Sequence, residues 1–147
     1  MRKFLAWLVL SVVAMFAATA CSKITTPAIS LDTIPIYPGS EHIIPSLHPT
    51  AAAADRMVKQ ANANGHKNEM RAYLLPPKTT AAQIREFYVP KLKELGGEVR
   101  VVMDDNAPLG WITLDYGMQA LTIDYDNMDS HYLPLLMIDS FIPNGNR

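Results

Sequence analysis

Cysteine is nearly missing from this chain: Cys21 is the only one in 147 residues. That excludes an internal disulfide and any site built from clustered cysteines. Charge is also sparse, at 18% of residues with a formal net of −1, which argues against nucleic acid as a partner. Basic residues are wholly lacking from Val101 to Asn146, where seven aspartates stand (Asp104, Asp105, Asp115, Asp124, Asp126, Asp129 and Asp139). From Lys67 to Arg100 the balance reverses, with seven basic residues against four glutamates. Two solvated faces of opposite sign are expected from that asymmetry, one of them a candidate surface for a basic partner. Internal repeats and low-complexity tracts are absent.

The patterns that mark common chemistries are missing too. His42, His48, His66 and His131 are separated by long, irregular gaps, so no pair has metal-ligand spacing and no metal is expected. Asp124-Tyr125-Asp126-Asn127-Met128-Asp129 starts like a calcium loop. It lacks both the glycine at the sixth position and the closing glutamate at the twelfth. Ser40-Glu41-His42 sets a hydroxyl, a carboxylate and an imidazole side by side. Adjacency in sequence does not bring a base within reach of a nucleophile, and no G-x-S-x-G elbow occurs. Gly96-Gly97 follows a helical stretch, whereas phosphate cradles precede one. No catalytic residue and no cofactor are expected, and the chain reads as a non-enzyme. The competing reading, a small hydrolase or ligand-processing enzyme, would need His131 set against Asp129 or Asp124 in a deep pocket.

The opening residues carry the strongest positive signal. Met1-Arg2-Lys3 is followed by seventeen uncharged residues, Phe4 to Ala20, ending in Ala17-Ala18-Thr19-Ala20. A basic start, an apolar stretch and small residues before a cut point make a secretory signal, and the stretch falls short of the ~20 residues of a spanning helix. Ala18-Thr19-Ala20-Cys21 resembles the lipobox of bacterial lipoproteins. The resemblance implies cleavage between Ala20 and Cys21, with diacylglycerol joined to the Cys21 thiol as a thioether. Ala18 stands where the family prefers Leu, and Ala18-Thr19-Ala20 also fits an ordinary small-residue cleavage site. Residues 1–20 are therefore read as the signal peptide, and 21–32 as lipidated cysteine and tether. A single small domain is expected over 33–147, since domains commonly run to about 100–150 residues. Ser22 after the cysteine implies, by the same resemblance, sorting to the outer membrane, facing the periplasm.

Within the domain, prolines 35, 38, 45 and 49 exclude helix and central strand from residues 34–49. An extended edge segment is expected there, with Ile34, Ile36 and Tyr37 docked and a turn at Pro38-Gly39. Asn64-Gly65 is a strong hairpin signal, which predicts strands at Arg56–Ala61 and Glu69–Leu75, although four alanines at 51–54 favour helix. Thr80 to Leu95 is the clearest helix, opened by a Thr80/Gln83 capping box and carrying Ile84, Phe87, Tyr88, Leu92 and Leu95 as one stripe. It either kinks or restarts at Pro90. Strands are predicted at Glu98–Met103, Trp111–Tyr116, Met118–Asp126 and Leu133–Phe141. The third alternates Leu121, Ile123 and Tyr125 against Thr122, Asp124 and Asp126, and the last is apolar enough to be central. The fold class is α+β, one helix packed on a mostly antiparallel sheet of about five or six strands.

Tyr37-Pro38-Gly39, Thr80, Ile84, Phe87-Tyr88, Leu92 and Leu95-Gly96 resemble a small domain found in exported bacterial lipoproteins. Gly97 replaces the tryptophan usual in that pattern, and Pro90 interrupts its helix. The resemblance covers roughly residues 34–125 and implies a fold and an address, with no assigned activity. The function expected is that of a membrane-anchored envelope lipoprotein serving as a binding or accessory module. Its partners would be the membrane, through lipid on Cys21, and an envelope protein. The candidate partner-binding face is acidic: Asp124, Asp126 and Asp129.

Overall fold

Pro49–Ala63 (α1) and Ala81–Glu94 (α2) are helices on opposite faces of one six-stranded sheet. The computed structural model describes residues 28–143; the expected cleavage and lipidation at Ala20 and Cys21 lie outside them. The strands are β1 (Glu41–Ile43), β2 (Lys67–Leu74), β3 (Glu98–Val102), β4 (Leu109–Tyr116), β5 (Gln119–Asp126) and β6 (Leu135–Ile142). They are ordered β1-β2-β6-β5-β4-β3, and every neighbouring pair is antiparallel. The expected α+β class holds, and β6 is interior, as its even hydrophobicity suggested.

The first arm of the expected hairpin is corrected. The arm expected at Arg56–Ala61 is part of helix α1. Pro49 sits at its first position, where a missing N–H costs nothing, and alanines 51–54 supply the best helix formers. Asn64-Gly65 then ends the helix instead of turning a hairpin. Gly65 takes φ +88°, its N–H donates to Asn62 O, and the His66 N–H donates to Ala61 O. This is a Schellman stop, which asks for the same left-handed glycine as a tight hairpin turn. The second arm is a strand as expected, with Ala72 facing α1 and Tyr73 facing α2.

Helix α2 connects β2 to β3, which are separated in the sheet by β6, β5 and β4, so the connection must cross one sheet face. Its capping box is formed: the Gln83 N–H donates to Thr80 Oγ1, and Thr80 N–H donates to Gln83 Oε1. The helix runs unbroken through Pro90, with Lys91 and Lys93 in its last turn, favourably placed against the dipole. Ile84, Tyr88 and Leu92 pack on Tyr73, Ile112, Leu114, Leu121, Ile123, Tyr125, Leu136 and Ile138 to form the main core. Each fully buried aliphatic side chain here contributes about 1.5–3 kcal/mol.

The N-terminal segment closes this core. Residues 28–32, expected to belong to a tether, are docked: Leu31 is buried and Ile29 packs against the main core. Gln119 clasps Ile29 through both backbone groups, accepting its N–H at 2.7 Å and donating to its carbonyl at 2.8 Å. Ile34 is buried and Tyr37 packs edge-on to Phe87. Ile36, expected to dock with them, is 51% exposed.

On the opposite face α1 reaches only part of the sheet. Ala51 meets a small second core of Ile43, Ala72, Leu135 and Met137. Ala51 and Ala72, both 0% exposed, let helix and sheet backbones approach closely. Among the described residues, the part of this face on β5, β4 and β3 carries no helix.

Candidate functional site

The uncovered half-face is built by three strands in fixed register. Trp111 on β4 pairs with Val102 on β3 and with Asp124 on β5. One row along, Thr113 pairs with Thr122, and Thr122 with Asp139 on β6. Because side chains alternate along a strand, Trp111, Thr113, Thr122, Asp124 and Asp139 all project to the same side. Asp124 lies directly opposite Met137, two residues from Asp139, so the two carboxyls are diagonal cross-strand neighbours and within reach of each other.

Two carboxyls this close repel each other when both are charged, so one of them keeps its proton more tightly. Burial raises the Asp124 carboxyl above its usual range. The Asp139 carboxyl is pushed up to about 7, first by burial, then by the charge of Asp124. Among the described residues no lysine or arginine forms an ion pair with either. Beside them Trp111 is 42% exposed, with Val102 and Leu109 also open. The site is thus an aromatic surface next to a carboxyl pair that holds one proton. A cationic group placed there could displace that proton and pair with both oxygens sets.

Of the three aspartates expected to form one acidic face, Asp124 and Asp126 are neighbours on one face of β5, and Asp129 lies beyond the strand. Asp124 joins Asp139, which was counted only in the overall acidity of its half of the chain. Asp126 serves the fold: it accepts from Thr50 Oγ1 at 2.9 Å in the first turn of α1 and from the Met128 N–H at 2.9 Å. A carboxylate there also complements the positive N-terminal end of the helix dipole. Asp129 lies in the loop after β5, where it accepts from the His131 N–H and contacts His131 Nδ1, both at 2.9 Å. The His131 backbone bond and then its side chain hold the Asp129 carboxyl below its ordinary range.

The His131–Asp129 pair is the contact that an enzyme reading asked for, yet its setting is open. The two side chains are 88% and 51% exposed, so water screens them and no low-dielectric pocket encloses them. Among the described residues no three His, Cys, Asp or Glu side chains gather as a metal site. Sequence reasoning missed Asp139 and Gln119. The signal for Asp139 was a lone carboxyl inside the apolar run Leu133–Phe141, a position that requires a partner or a retained proton. Comparisons with protein-family models, with curated proteins and with solved structures gave no match for this chain.

Proposed function

We propose that this chain is a bacterial lipoprotein, cleaved before Cys21 and held to the outer membrane through lipid on that cysteine. Its domain is a non-enzymatic binding or accessory module facing the periplasm. The observation that carries the reading is the placement of the sole cysteine directly after a basic start, an uncharged stretch and Ala18-Thr19-Ala20. A lone thiol at that junction is accounted for by modification, and two or more acyl chains give durable anchoring at about 0.8 kcal/mol per buried CH₂. The docked chain begins at Ile29, so eight residue steps from Cys21 span at most about 29 Å. On this reading the domain works close to the lipid surface. The half-face around Trp111, Asp124 and Asp139 is the surface offered to an envelope component.

The test is metabolic labelling with a fatty-acid analogue in a Gram-negative host, comparing the wild-type chain with Cys21→Ser. Label on the wild type alone, a Cys21→Ser precursor that stays unprocessed, and recovery of the mature wild type in the outer-membrane fraction are expected. Label and maturation that persist in Cys21→Ser would overturn the reading.

A further inference from the structure

On the half of the sheet that α1 leaves open, apolar surface and unmet charge lie side by side. Trp111 stands exposed in the middle of it, with Val102 beside it on β3 and Leu109 two residues earlier on the same face, both exposed. On strands β3 to β6 the acidic residues projecting to this side are Glu98, Asp115, Asp124, Asp126 and Asp139, and the only base is Arg100. Three of these carboxylates are already answered. Glu98 and Asp115 hold Arg100 at 3.1 and 2.9 Å, and Asp126 accepts from Thr50 Oγ1 and the Met128 N–H. Asp124 and Asp139 have no ion-pair partner among the described residues. A carboxyl withdrawn from water needs either a counter-charge or a proton.

We propose that this half-face receives an arginine of a partner protein, its guanidinium stacked on Trp111 and forked between Asp124 and Asp139. The inference names the partner's chemistry at the surface already put forward for an envelope component, and it rests on that reading. Trp111 and Asp124 are directly opposite on neighbouring strands, about 4.5–5.5 Å apart at Cβ, so one flat cation can touch ring and carboxyl together. Arginine suits the place better than lysine. A planar guanidinium stacks on an indole and its fork serves two carboxylates, whereas an ammonium is a strongly hydrated point charge. Charge also decides between occupants. A second copy laid on this face would set carboxyl pair against carboxyl pair, and an acidic partner would do the same. A basic partner supplies the missing counter-charge and takes the place of the retained proton. Val102 and Leu109 add apolar contact that keeps water from the pair, as the surround of a binding centre does. The open strip runs over β5, β4 and β3, roughly 10–14 Å at the ~4.8 Å spacing of strands, which is room for one protein segment beside α1.

The first measurement uses the full chain with Trp7→Phe, which leaves Trp111 as its only tryptophan. Titration with arginine amide should change Trp111 fluorescence, while citrulline amide, which has the shape without the charge, should not. Asp124→Asn and Asp139→Asn should each weaken the arginine response by at least about tenfold, as loss of one member of a desolvated charge pair does. Asp104→Asn, in the loop after β3, should leave it unchanged. Asp139→Asn relieves the buried carboxyl and so keeps the test clear of misfolding. The second measurement places a photocrosslinking residue at Thr113 in living cells. The expected product is an adduct with another protein, mapped to an arginine-bearing segment and lost in Asp139→Asn. Equal response to the two amides, or a response indifferent to both asparagine variants, would overturn the proposal. So would the absence of an adduct, or an adduct with a second copy or with residues 144–147 of the same chain. The fluorescence measurement needs no lipid, so its failure with Cys21 labelling intact would remove the arginine site and leave the anchoring reading standing.

Discussion

Asp124 and Asp139 show how one residue in an apolar strand can set the pH response of a whole domain. An unfolded Asp titrates near pH ~3.9, whereas the Asp139 carboxyl in the fold is pushed up to about 7 by burial and by Asp124. Between those values the folded state binds more protons than the unfolded state. Stability therefore falls as pH rises across that window: the pair's contribution is complete below the unfolded value and is lost as pH passes through about 7. The loss is on the order of 1–3 kcal/mol once residual solvent exposure is allowed for. Thermal unfolding followed between pH 5 and pH 8 should show wild-type Tm declining, with Asp139→Asn nearly flat and the more stable protein at pH 8. A wild-type Tm that holds level or climbs over that range would contradict the retained proton. From sequence, the alternation of Thr122, Asp124 and Asp126 correctly put a carboxyl on the wetter side of β5. Asp139 could not be matched to it, because strand order is not a local property.

At the scale of elements, legibility followed the range of the interactions that make each one. Helix α2 was readable because its start is written within four residues, Thr80 to Gln83, and its stripe repeats at helical spacing. β5 was readable from strict alternation and β6 from unbroken hydrophobicity. Helix α1 was misread because Asn64-Gly65 satisfies two geometries, a hairpin turn and a helix stop, through the same positive φ at Gly65. What separates them is whether the preceding residues bury a helical face, and that depends on Ala51 finding Ala72 across the sheet. Gly65→Ala should cost about 1 kcal/mol, the strain of a side chain in the left-handed region. Chemical denaturation should show this as a lower midpoint with an unchanged slope. Stability equal to wild type would mean that the helix does not end as described.

For the whole molecule, the decisive contact is the one that fastens the N-terminal segment to the domain. Gln119 is buried and bonds Ile29 twice and Ser140 once, the last at 2.6 Å. Arg71 pairs with Asp32 further along the same segment. Removing the amide with Gln119→Ala leaves the Ile29 backbone groups without these partners, at a cost of about 1–3 kcal/mol. Limited proteolysis should then cut between residues 28 and 36 in the variant while wild type resists there. Equal resistance would show that Leu31 and Ile34 hold the segment unaided. For a protein anchored at Cys21, the same release would lengthen the link and let the domain stand further from the lipid. On that proposed anchoring, the clasp would set working height as well as stability.

What the sequence by itself determined is whatever one stretch of chain can encode. That covers the α+β class, the capped helix over 81–94, and strands whose alternation or uniform hydrophobicity gives their burial. Only the tertiary structure decided that residues 49–63 are helical, that Asp139 meets Asp124, that Gln119 clasps Ile29, and that β3 is left at an edge. Each of these depends on which strand lies beside which, and pairing joins residues tens of positions apart through backbone groups that every residue shares. Side-chain patterns fix how a strand faces its core; its neighbours are fixed by how the whole sheet packs.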